Sequence, residues 1–137
     1  MKDSTWLWIA IGGALLLTGG VAAISLGTLN ASQIMQYASN AGFYGSDLIK
    51  AVAVALAESS GNPQALGDLS VGGSYGLWQI NAHYHPEYGP NFEQLYDPQI
   101  NANAAYAIYQ AAGNSFTPWT TFKTGAYLTY MTAASNA

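Results

Sequence analysis

Two carboxylates lie close together in a chain that has few charges. The stretch from Ala55 to Asn81, ALAESSGNPQALGDLSVGGSYGLWQIN, carries Glu58 and Asp68, two of the seven acidic residues among 137. Glu58 ends an apolar run, where burial and the negative end of a helix dipole both raise the pKa of a carboxyl group. A glutamic acid that stays protonated near neutral pH suits general acid catalysis of glycosidic-bond cleavage. Glu58 is therefore the candidate catalytic acid, and a solvated glutamate at a helix end is the alternative.

Asp68, ten residues after Glu58, is the candidate second carboxylate. A hydrolase uses such a group to stabilise the developing cation or to activate water. The simpler interpretation is a loop aspartate in a turn beside Gly67. The sequence leaves both interpretations open.

Composition excludes several kinds of partner and site. Only 7% of the residues are charged, against roughly 25% in an ordinary soluble domain. A net charge of −4 without arginine leaves no basic patch for nucleic acid. The absence of cysteine excludes disulfides and thiolate metal sites. His83, His85 and Glu87 cluster in HYHPE, but no third ligand type follows at a known spacing, so we predict neither a metal site nor a cofactor.

The first 29 residues have the character of a transmembrane anchor. Residues 6–29 are mainly apolar or small, and at about 1.5 Å per residue they can cross a hydrocarbon core of about 30 Å. Trp6 and Trp8 suit the headgroup layer at the start of this segment. A cleaved signal peptide and a buried soluble helix are the alternatives.

The same segment predicts a partner and an orientation. Gly19, Ala23 and Gly27 form a stripe of small residues against which another helix could pack. Lys2 is the only basic residue near either end of this segment. It favours an N-terminus on the inner side of the membrane and a domain on the outer, wall-facing side.

Residues 30–137 predict a small, mainly α-helical domain. Ser32 is a suitable cap for a helix that ends at Gly42. The next helix, DLIKAVAVALAE, has Asp47 in its first turn, where a negative charge suits the helix dipole. Because this helix is apolar nearly all round, we expect it to be central and buried.

The rest of the domain alternates between loops and helices. Residues 64–96 are rich in Gly, Asn, Pro and Tyr and predict loops with at most a short hairpin. The Asp97–Pro98 pair predicts a capped helix start, and Gly113 predicts its end. The Thr117–Pro118 pair repeats the start signature, and a short last helix is expected from about Gly125.

Three motifs together resemble the lysozyme-like superfamily, and most closely its soluble lytic transglycosylase type of domain. They are a Glu-Ser pair at a helix end, a Ser-x-x-Gly-x-x-Gly-Leu-x-Gln-Ile stretch and an Asp-Pro-x-x-Asn helix start. They fall in order on Glu58 and Ser59, on Ser70, Gly73, Gly76, Leu77, Gln79 and Ile80, and on Asp97, Pro98 and Asn101. The predicted fold is therefore a transmembrane helix followed by a small lysozyme-like α(+β) domain.

The resemblance implies cleavage of the β-1,4 bond between N-acetylmuramic acid and N-acetylglucosamine in peptidoglycan. Glu58 would act first as acid and then as base, closing a 1,6-anhydro ring. Ser70 and Gln79 would bind the sugar near the scissile bond, and Asn81 stands in the same stretch where the family often has methionine. Trp78 is more often a core residue than a sugar contact. The predicted sugar-binding residues are Ser70, Gln79, Asn81, Tyr75, Tyr106 and Tyr127.

The chain departs from the family pattern in a third active-site motif. Where the family has Tyr-Asn-x-Gly, this chain has FKTG, with Phe122 and Lys123 in the first two places. Phenylalanine supplies no hydroxyl near the acid, and the sequence does not decide whether Tyr127, Tyr109 or Tyr106 replaces it.

Three functions remain open on the sequence. The first is a membrane-anchored lytic transglycosylase. The family's phage members share the SYGLWQIN sequence pattern, so we expect a virion enzyme that opens the cell wall locally. The second is a lysozyme that hydrolyses with Glu58 and Asp68. The third is a non-catalytic membrane protein that keeps the fold for wall binding or assembly.

Overall fold

The computed structural model describes residues 27–137 of the chain. This part is mainly helical, as predicted, with a small sheet inserted between its helices. Its α-helices are α1 (Ala31–Ala41), α2 (Gly45–Ser59), α3 (Pro98–Ala111), α4 (Thr120–Lys123) and α5 (Met131–Ser135). Its strands are β1 (Leu66–Gly67), β2 (Ser74–Tyr75) and β3 (Ile80–Asn81). Short 3-10 helices lie at Leu69–Val71, Pro86–Tyr88, Phe92–Tyr96 and Ala126–Tyr130.

The expected transmembrane anchor lies almost wholly outside the described residues, as do Gly19 and Ala23 of its small-residue stripe. Gly27 and Leu29, at its end, are described and are not helical. Leu29 is buried, and its N–H donates to the Gly61 carbonyl at 2.7 Å. Leu29 therefore packs as part of the folded domain. Within the part of the chain that the structure describes, no helix combines the length and apolar character needed to cross a membrane.

Helix α1 begins two residues earlier than expected, because Asn30 rather than Ser32 is its cap. The Asn30 Oδ1 accepts from the Gln33 N–H, and the Gln33 Oε1 accepts from the Asn30 N–H, each at 2.9 Å. This reciprocal pair is a capping box. Gly42 follows the helix as expected, with a φ of +130° and an N–H that donates to the Ala38 carbonyl.

Helix α2 is the centre of the domain, as its apolar sequence predicts. The side chains from Ala51 to Ala55 are fully buried. They lie among α1, α4, α5 and the 3-10 helix that precedes α5, all of which pack on α2. Asp47 lies in the first turn of α2, as expected, and accepts a hydrogen bond from the Tyr109 hydroxyl of α3. Lys50 Nζ lies 3.7 Å from the other Asp47 oxygen.

A small antiparallel sheet forms where the sequence predicts loops and a short hairpin. Strand β2 is central and pairs with β1 on one side and β3 on the other. Gly67 is opposite Ser74, and Ser74 is opposite Asn81, so these three residues form one row across the sheet. Strands of two residues are too short for alternation of apolar and polar residues to reveal them.

Helix α3 begins and ends where the sequence predicts. The Asp97 Oδ1 accepts from the backbone N–H of Gln99 at 2.8 Å and of Ile100 at 3.1 Å. Pro98 is the first helical residue, where its missing N–H costs nothing. Gly113 follows the helix with a φ of +79°.

The C-terminal segment confirms one expectation and corrects another. The Thr117–Pro118 pair does not begin a helix, and α4 follows only after Trp119. The Ser115 hydroxyl accepts from the Thr117 N–H at 3.1 Å, so the pair belongs to a turn capped by a side chain. Gly125, with a φ of +86°, does precede the expected last helix, which begins as a 3-10 helix and continues into α5.

Candidate active site

Glu58 is the penultimate residue of α2, and its neighbour Ser59 shapes the end of that helix. The Ser59 hydroxyl donates to the Ala55 carbonyl at 2.9 Å and accepts from the Gly61 N–H at 3.2 Å. Ser60 adopts a left-handed conformation, which stops the helix. Backbone groups left over at the helix end thereby gain partners. The Glu-Ser pair thus joins a structural serine to a carboxyl group held at the helix end.

The Glu58 carboxyl group is half-buried and contacts Thr121 of α4. The Thr121 hydroxyl donates to Glu58 Oε2 at 2.8 Å. Burial raises the pKa of Glu58, the Thr121 hydroxyl and backbone N–H lower it, and the nearby charge of Asp68 raises it. Burial is the largest effect, so the pKa lies above its ordinary value. A raised pKa keeps the proton on a general acid to higher pH.

Asp68 acts on Glu58 electrostatically and is itself held firmly. It follows β1 in a left-handed backbone conformation with a φ of +50°, which is uncommon for a residue other than glycine. Its carbonyl accepts from the N–H groups of Val71 and Gly73 at 2.9 and 3.0 Å. Its Oδ2 accepts from the Ser74 hydroxyl at 3.0 Å. Both the backbone and the side chain of Asp68 are therefore fixed by hydrogen bonds.

The two serines of the glycine-rich stretch have different surroundings. Ser70, an expected sugar-binding residue, is exposed on the 3-10 helix after β1. Ser74 is only 2% exposed, and its Oγ accepts from Asn81 Nδ2 at 3.0 Å. Sequence reasoning missed Ser74, because the register that places it between Asn81 and Asp68 is formed by strands too short to predict.

Gln79 directly precedes β3, and its side-chain amide is hydrogen-bonded to the backbone. Its Nε2 donates to the carbonyls of Ala65 and Gly76, both at 3.1 Å. A side chain at residue 67 would meet Gln79 Oε1, so Gly67 leaves room for this amide. Because both amide hydrogens have protein partners, a sugar contact by Gln79 would use Oε1.

The Asp-Pro-x-x-Asn motif attaches the glycine-rich stretch to α3 through Asn101. This residue is 1% exposed, and its Oδ1 accepts from the Trp78 N–H at 2.8 Å. Its Nδ2 donates to the carbonyls of Tyr75 and Leu95, each at 2.8 Å. Gly76 passes so close that an added Cβ would lie 2.3 Å from Asn101 Nδ2. Asn101 therefore fixes the loop that carries Gln79.

Two tryptophans join this loop to the core. Trp78 is fully buried, as predicted for a core residue, and its indole N–H donates to the Ala51 carbonyl at 2.9 Å. The Trp119 indole N–H donates to the Trp78 carbonyl at 2.8 Å. Trp119 is also the cap residue of α4. The loop, the core helix α2 and the helix that carries Thr121 are thereby linked.

The tyrosines named as sugar contacts or hydroxyl donors lie in three places. Tyr75 is half-buried beside Phe92 and Tyr96, with ring centroids 5.8 and 5.5 Å away. Tyr127 lies against Phe122, at 4.8 Å between centroids, in the 3-10 helix that packs on α2.

Tyr106 and Tyr109 pack around Phe43, at 5.0 and 4.9 Å between centroids, just before α2 begins. Tyr109 bonds to Asp47, eleven residues before Glu58 in the same helix. At about 1.5 Å per residue this is roughly 16 Å along the helix axis. Of the three tyrosines considered for the missing hydroxyl, Tyr127 therefore lies in the segment next to α4, and the other two lie at the opposite end of α2.

A groove begins beside the sheet and ends at the segment before α4. It contains a cavity of about 290 Å³, which continues into a second cavity of about 430 Å³. The first is lined by Gln79, Ile80, Asn81, Tyr84, His85, Ile108, Pro118 and Trp119. Aromatic and apolar walls with a few polar groups suit a small organic ligand such as a sugar. Glu58 does not line the groove, but Asn81 joins the groove to Ser74 and Asp68.

One of the two histidines of HYHPE, His85, belongs to this groove. His85 lines both cavities, and its Nδ1 lies 3.3 Å from Glu87 Oε2. Among residues 27–137, no group of three or more His, Asp or Glu side chains is arranged to hold a metal ion.

Thr121 is the second functional residue that sequence reasoning missed. It stands one residue before FKTG, the degenerate copy of the Tyr-Asn-x-Gly motif, so the expected position of that motif was the available signal. A threonine one residue away from a motif position carries no recognisable pattern of its own.

Comparison with protein families gave one match, to a family described as a lysozyme-like domain, over residues 35–121. Comparison with curated proteins gave no match, and comparison with solved structures gave none. The matched range includes Glu58, Asp68, Ser74, Gln79 and Thr121. The chain therefore belongs to the lysozyme-like domain family of the soluble lytic transglycosylase type, and peptidoglycan is its expected substrate.

Proposed function

We propose that this domain is a peptidoglycan lytic transglycosylase with Glu58 as its general acid and base. The observation that carries the proposal is the half-buried Glu58 carboxyl group at the end of α2, whose pKa burial raises and which Thr121 holds. Membership of the lysozyme-like family supports a glycan strand as the substrate. The groove lined by Gln79 and Asn81 does not include Glu58, and it offers a place for a neighbouring part of that strand.

The reaction requires one proton donor that becomes a base. Glu58 donates its proton to the glycosidic oxygen as the bond from this oxygen to the muramyl C1 breaks. The resulting carboxylate then takes the proton of the muramyl 6-hydroxyl, whose oxygen bonds to C1 and closes the 1,6-anhydro ring. Glu58 is protonated again at the end, so the cycle needs neither water nor a second carboxylate as nucleophile.

Product analysis tests this proposal. Purified peptidoglycan digested by the full chain should yield 1,6-anhydromuramyl ends in mass spectrometry, and Glu58→Gln should abolish them. Glu93→Gln, which changes an exposed glutamate outside the groove, is the matched control and should keep full activity. Equal activity of the wild type and Glu58→Gln would favour a non-catalytic wall-binding or assembly protein.

Hydrolysis is the second candidate, and the placement of Asp68 favours it. A fixed carboxylate whose charge acts on Glu58 resembles the paired carboxylates of hydrolysing glycosidases. In that reaction water supplies the oxygen to C1, and its proton passes to a carboxylate. Reducing ends in place of anhydro ends would identify hydrolysis, and Asp68→Asn would then be nearly as damaging as Glu58→Gln.

We also propose that the residues before Leu29 anchor the enzyme in a membrane with its catalytic domain facing the wall, and that it serves local wall penetration by a virion. The apolar composition of the segment that begins at Trp6 supports the anchor, and Gly19 and Ala23 of the small-residue stripe support a helix partner. The full chain should sediment with membranes after carbonate extraction, and Leu16→Arg should release it. Mass spectrometry of purified virions tests the setting.

A further inference from the structure

We propose that Ser74 and Asn81 are positioning residues that hold the Asp68 carboxylate in one orientation, so that Asp68 stabilises the positive charge that develops on the sugar during cleavage. This inference rests on the proposed glycan cleavage and holds for either product. It assigns a catalytic purpose to a buried serine that no sequence motif singles out.

The direction of the hydrogen bonds follows from Asn81. Its Oδ1 accepts from the backbone N–H groups of His83 and Tyr84, at 2.9 and 3.3 Å. Backbone N–H groups only donate, so the other end of this amide must be the NH₂ group, which donates to Ser74 Oγ. The Ser74 hydroxyl has accepted that bond and directs its own proton to Asp68 Oδ2. The chain therefore runs one way, from backbone through Asn81 and Ser74 to an acceptor carboxylate.

The sheet supplies the geometry of this chain. Ser74 pairs directly with Asn81 on one side and with Gly67, the neighbour of Asp68, on the other. Side chains of directly paired residues stand about 4.5–5.5 Å apart on one face, close enough for such a relay. Ser74 is 2% exposed, so water does not compete for its hydroxyl.

The backbone of Asp68 is held in a conformation that needs support. A φ of +50° is uncommon in a residue other than glycine and persists where the surroundings support it. Here the hydrogen bonds from Val71 and Gly73 to its carbonyl enforce it. Strain of this kind, combined with an oriented carboxylate, is typical of functional sites.

The orientation matters because of the chemistry at Glu58. Cleavage of a glycosidic bond passes through a transition state with oxocarbenium character. A preorganised negative group stabilises that charge without having to reorient during the reaction. Asp68 is near enough for its charge to act on Glu58. A freely rotating aspartate on the same exposed turn would lose much of this effect to water.

A double-mutant cycle on the full chain tests whether Ser74 acts through Asp68. The variants are Ser74→Ala, Asp68→Asn and the two combined, with kcat and KM measured on soluble, uncrosslinked glycan strands. Ser74→Ala should lower kcat about 5- to 10-fold with little change in KM, and Asp68→Asn should lower it further. In the Asp68→Asn background, Ser74→Ala should lower kcat less than about twofold, because nothing remains for it to orient.

Each result has one meaning. An equal loss of kcat from Ser74→Ala in both backgrounds, or no loss in either, overturns the positioning role while leaving Glu58 catalysis intact. Absence of cleavage by the wild type overturns the proposed function and this inference together. Thermal unfolding is measured on every variant, and Asn81→Ala removes the first donor of the chain if Ser74→Ala does not fold. Asn81→Ala should lower kcat less than Ser74→Ala does, and this loss should likewise disappear in the Asp68→Asn background.

Discussion

Thr121 offers the sharpest test of the candidate active site, because its hydroxyl donates to the carboxyl group of Glu58, the proposed acid. Thr121→Val keeps the shape of the side chain and removes only the donor to Glu58 Oε2. This hydroxyl lowers the pKa of Glu58, against the larger effect of burial. Its loss should raise that pKa further. The alkaline limb of the profile of kcat/KM against pH, where the acid loses its proton, should therefore move to higher pH.

The effect on rate follows from the change of charge during the reaction. A hydrogen bond to a charged group stabilises by about 1.5–3 kcal/mol, and one between neutral groups by about 0.5–1.5 kcal/mol. As Glu58 gives up its proton it becomes charged, so the Thr121 hydroxyl stabilises the product of proton transfer by about 1 kcal/mol more than the starting acid. That difference corresponds to about a fivefold lower kcat in Thr121→Val.

Two controls separate this effect from a general disturbance of α4. Thr121→Ser keeps the hydroxyl and should keep both the rate and the pH profile. Thr120→Val makes the same chemical change at the exposed neighbouring position and should do nothing. The measurement is the initial rate on soluble glycan strands between about pH 4 and 9, a range that brackets ordinary and raised values for a glutamate. An alkaline limb at the wild-type pH in Thr121→Val, with kcat unchanged, would refute the reasoning.

Three further predictions concern stability. Glu58→Gln should raise the melting temperature at pH 7 and raise it much less at pH 4. The folded-state pKa of Glu58 lies above the unfolded value of 4.5, so ionisation of Glu58 as pH rises costs stability. Thermal unfolding at both pH values checks this, and an equal gain at both would contradict it. Gly76→Ala should lower the free energy of unfolding in urea by at least about 3 kcal/mol, and Gly113→Ala by about 1 kcal/mol. Both glycines have a φ near +80°, but of the two only Gly76 has atoms within 2.5 Å of an added Cβ. Similar losses in the two variants would show that backbone strain alone acts. Tyr109→Phe should cost about 1.5–3 kcal/mol through its lost bond to Asp47 and leave kcat unchanged; a fall in kcat without a fall in stability would place Tyr109 in catalysis.

Local chemistry made the helices and the acid predictable. The Asp97–Pro98 start of α3 depends on a side chain and on backbone groups within three residues, so the sequence contains the whole cause. The central position of α2 follows from its apolar residues on every face. The end position of Glu58 on such a helix left a solvated glutamate as an alternative, and the resemblance to the lysozyme-like family is what singled it out as the candidate acid. At the start of α1 the sequence predicts Ser32 as the cap, and the structure instead completes a capping box at Asn30.

Only the tertiary structure decided which groups surround Glu58. Thr121 lies 63 residues away along the chain, and its contact depends on how α4 packs at the end of α2. Ser74 differs from Ser70 only through strand register, which the sequence of two-residue strands does not encode locally. The placement of Tyr106, Tyr109 and Tyr127 likewise depends on which end of α2 each one packs against. The sequence by itself predicted the apolar helix α2 and the carboxyl group at its end, because the causes of both are local. Thr121, which donates to Glu58, comes from a distant segment that only packing brings there, and Ser74 reaches Asp68 only through the register of β1 and β2.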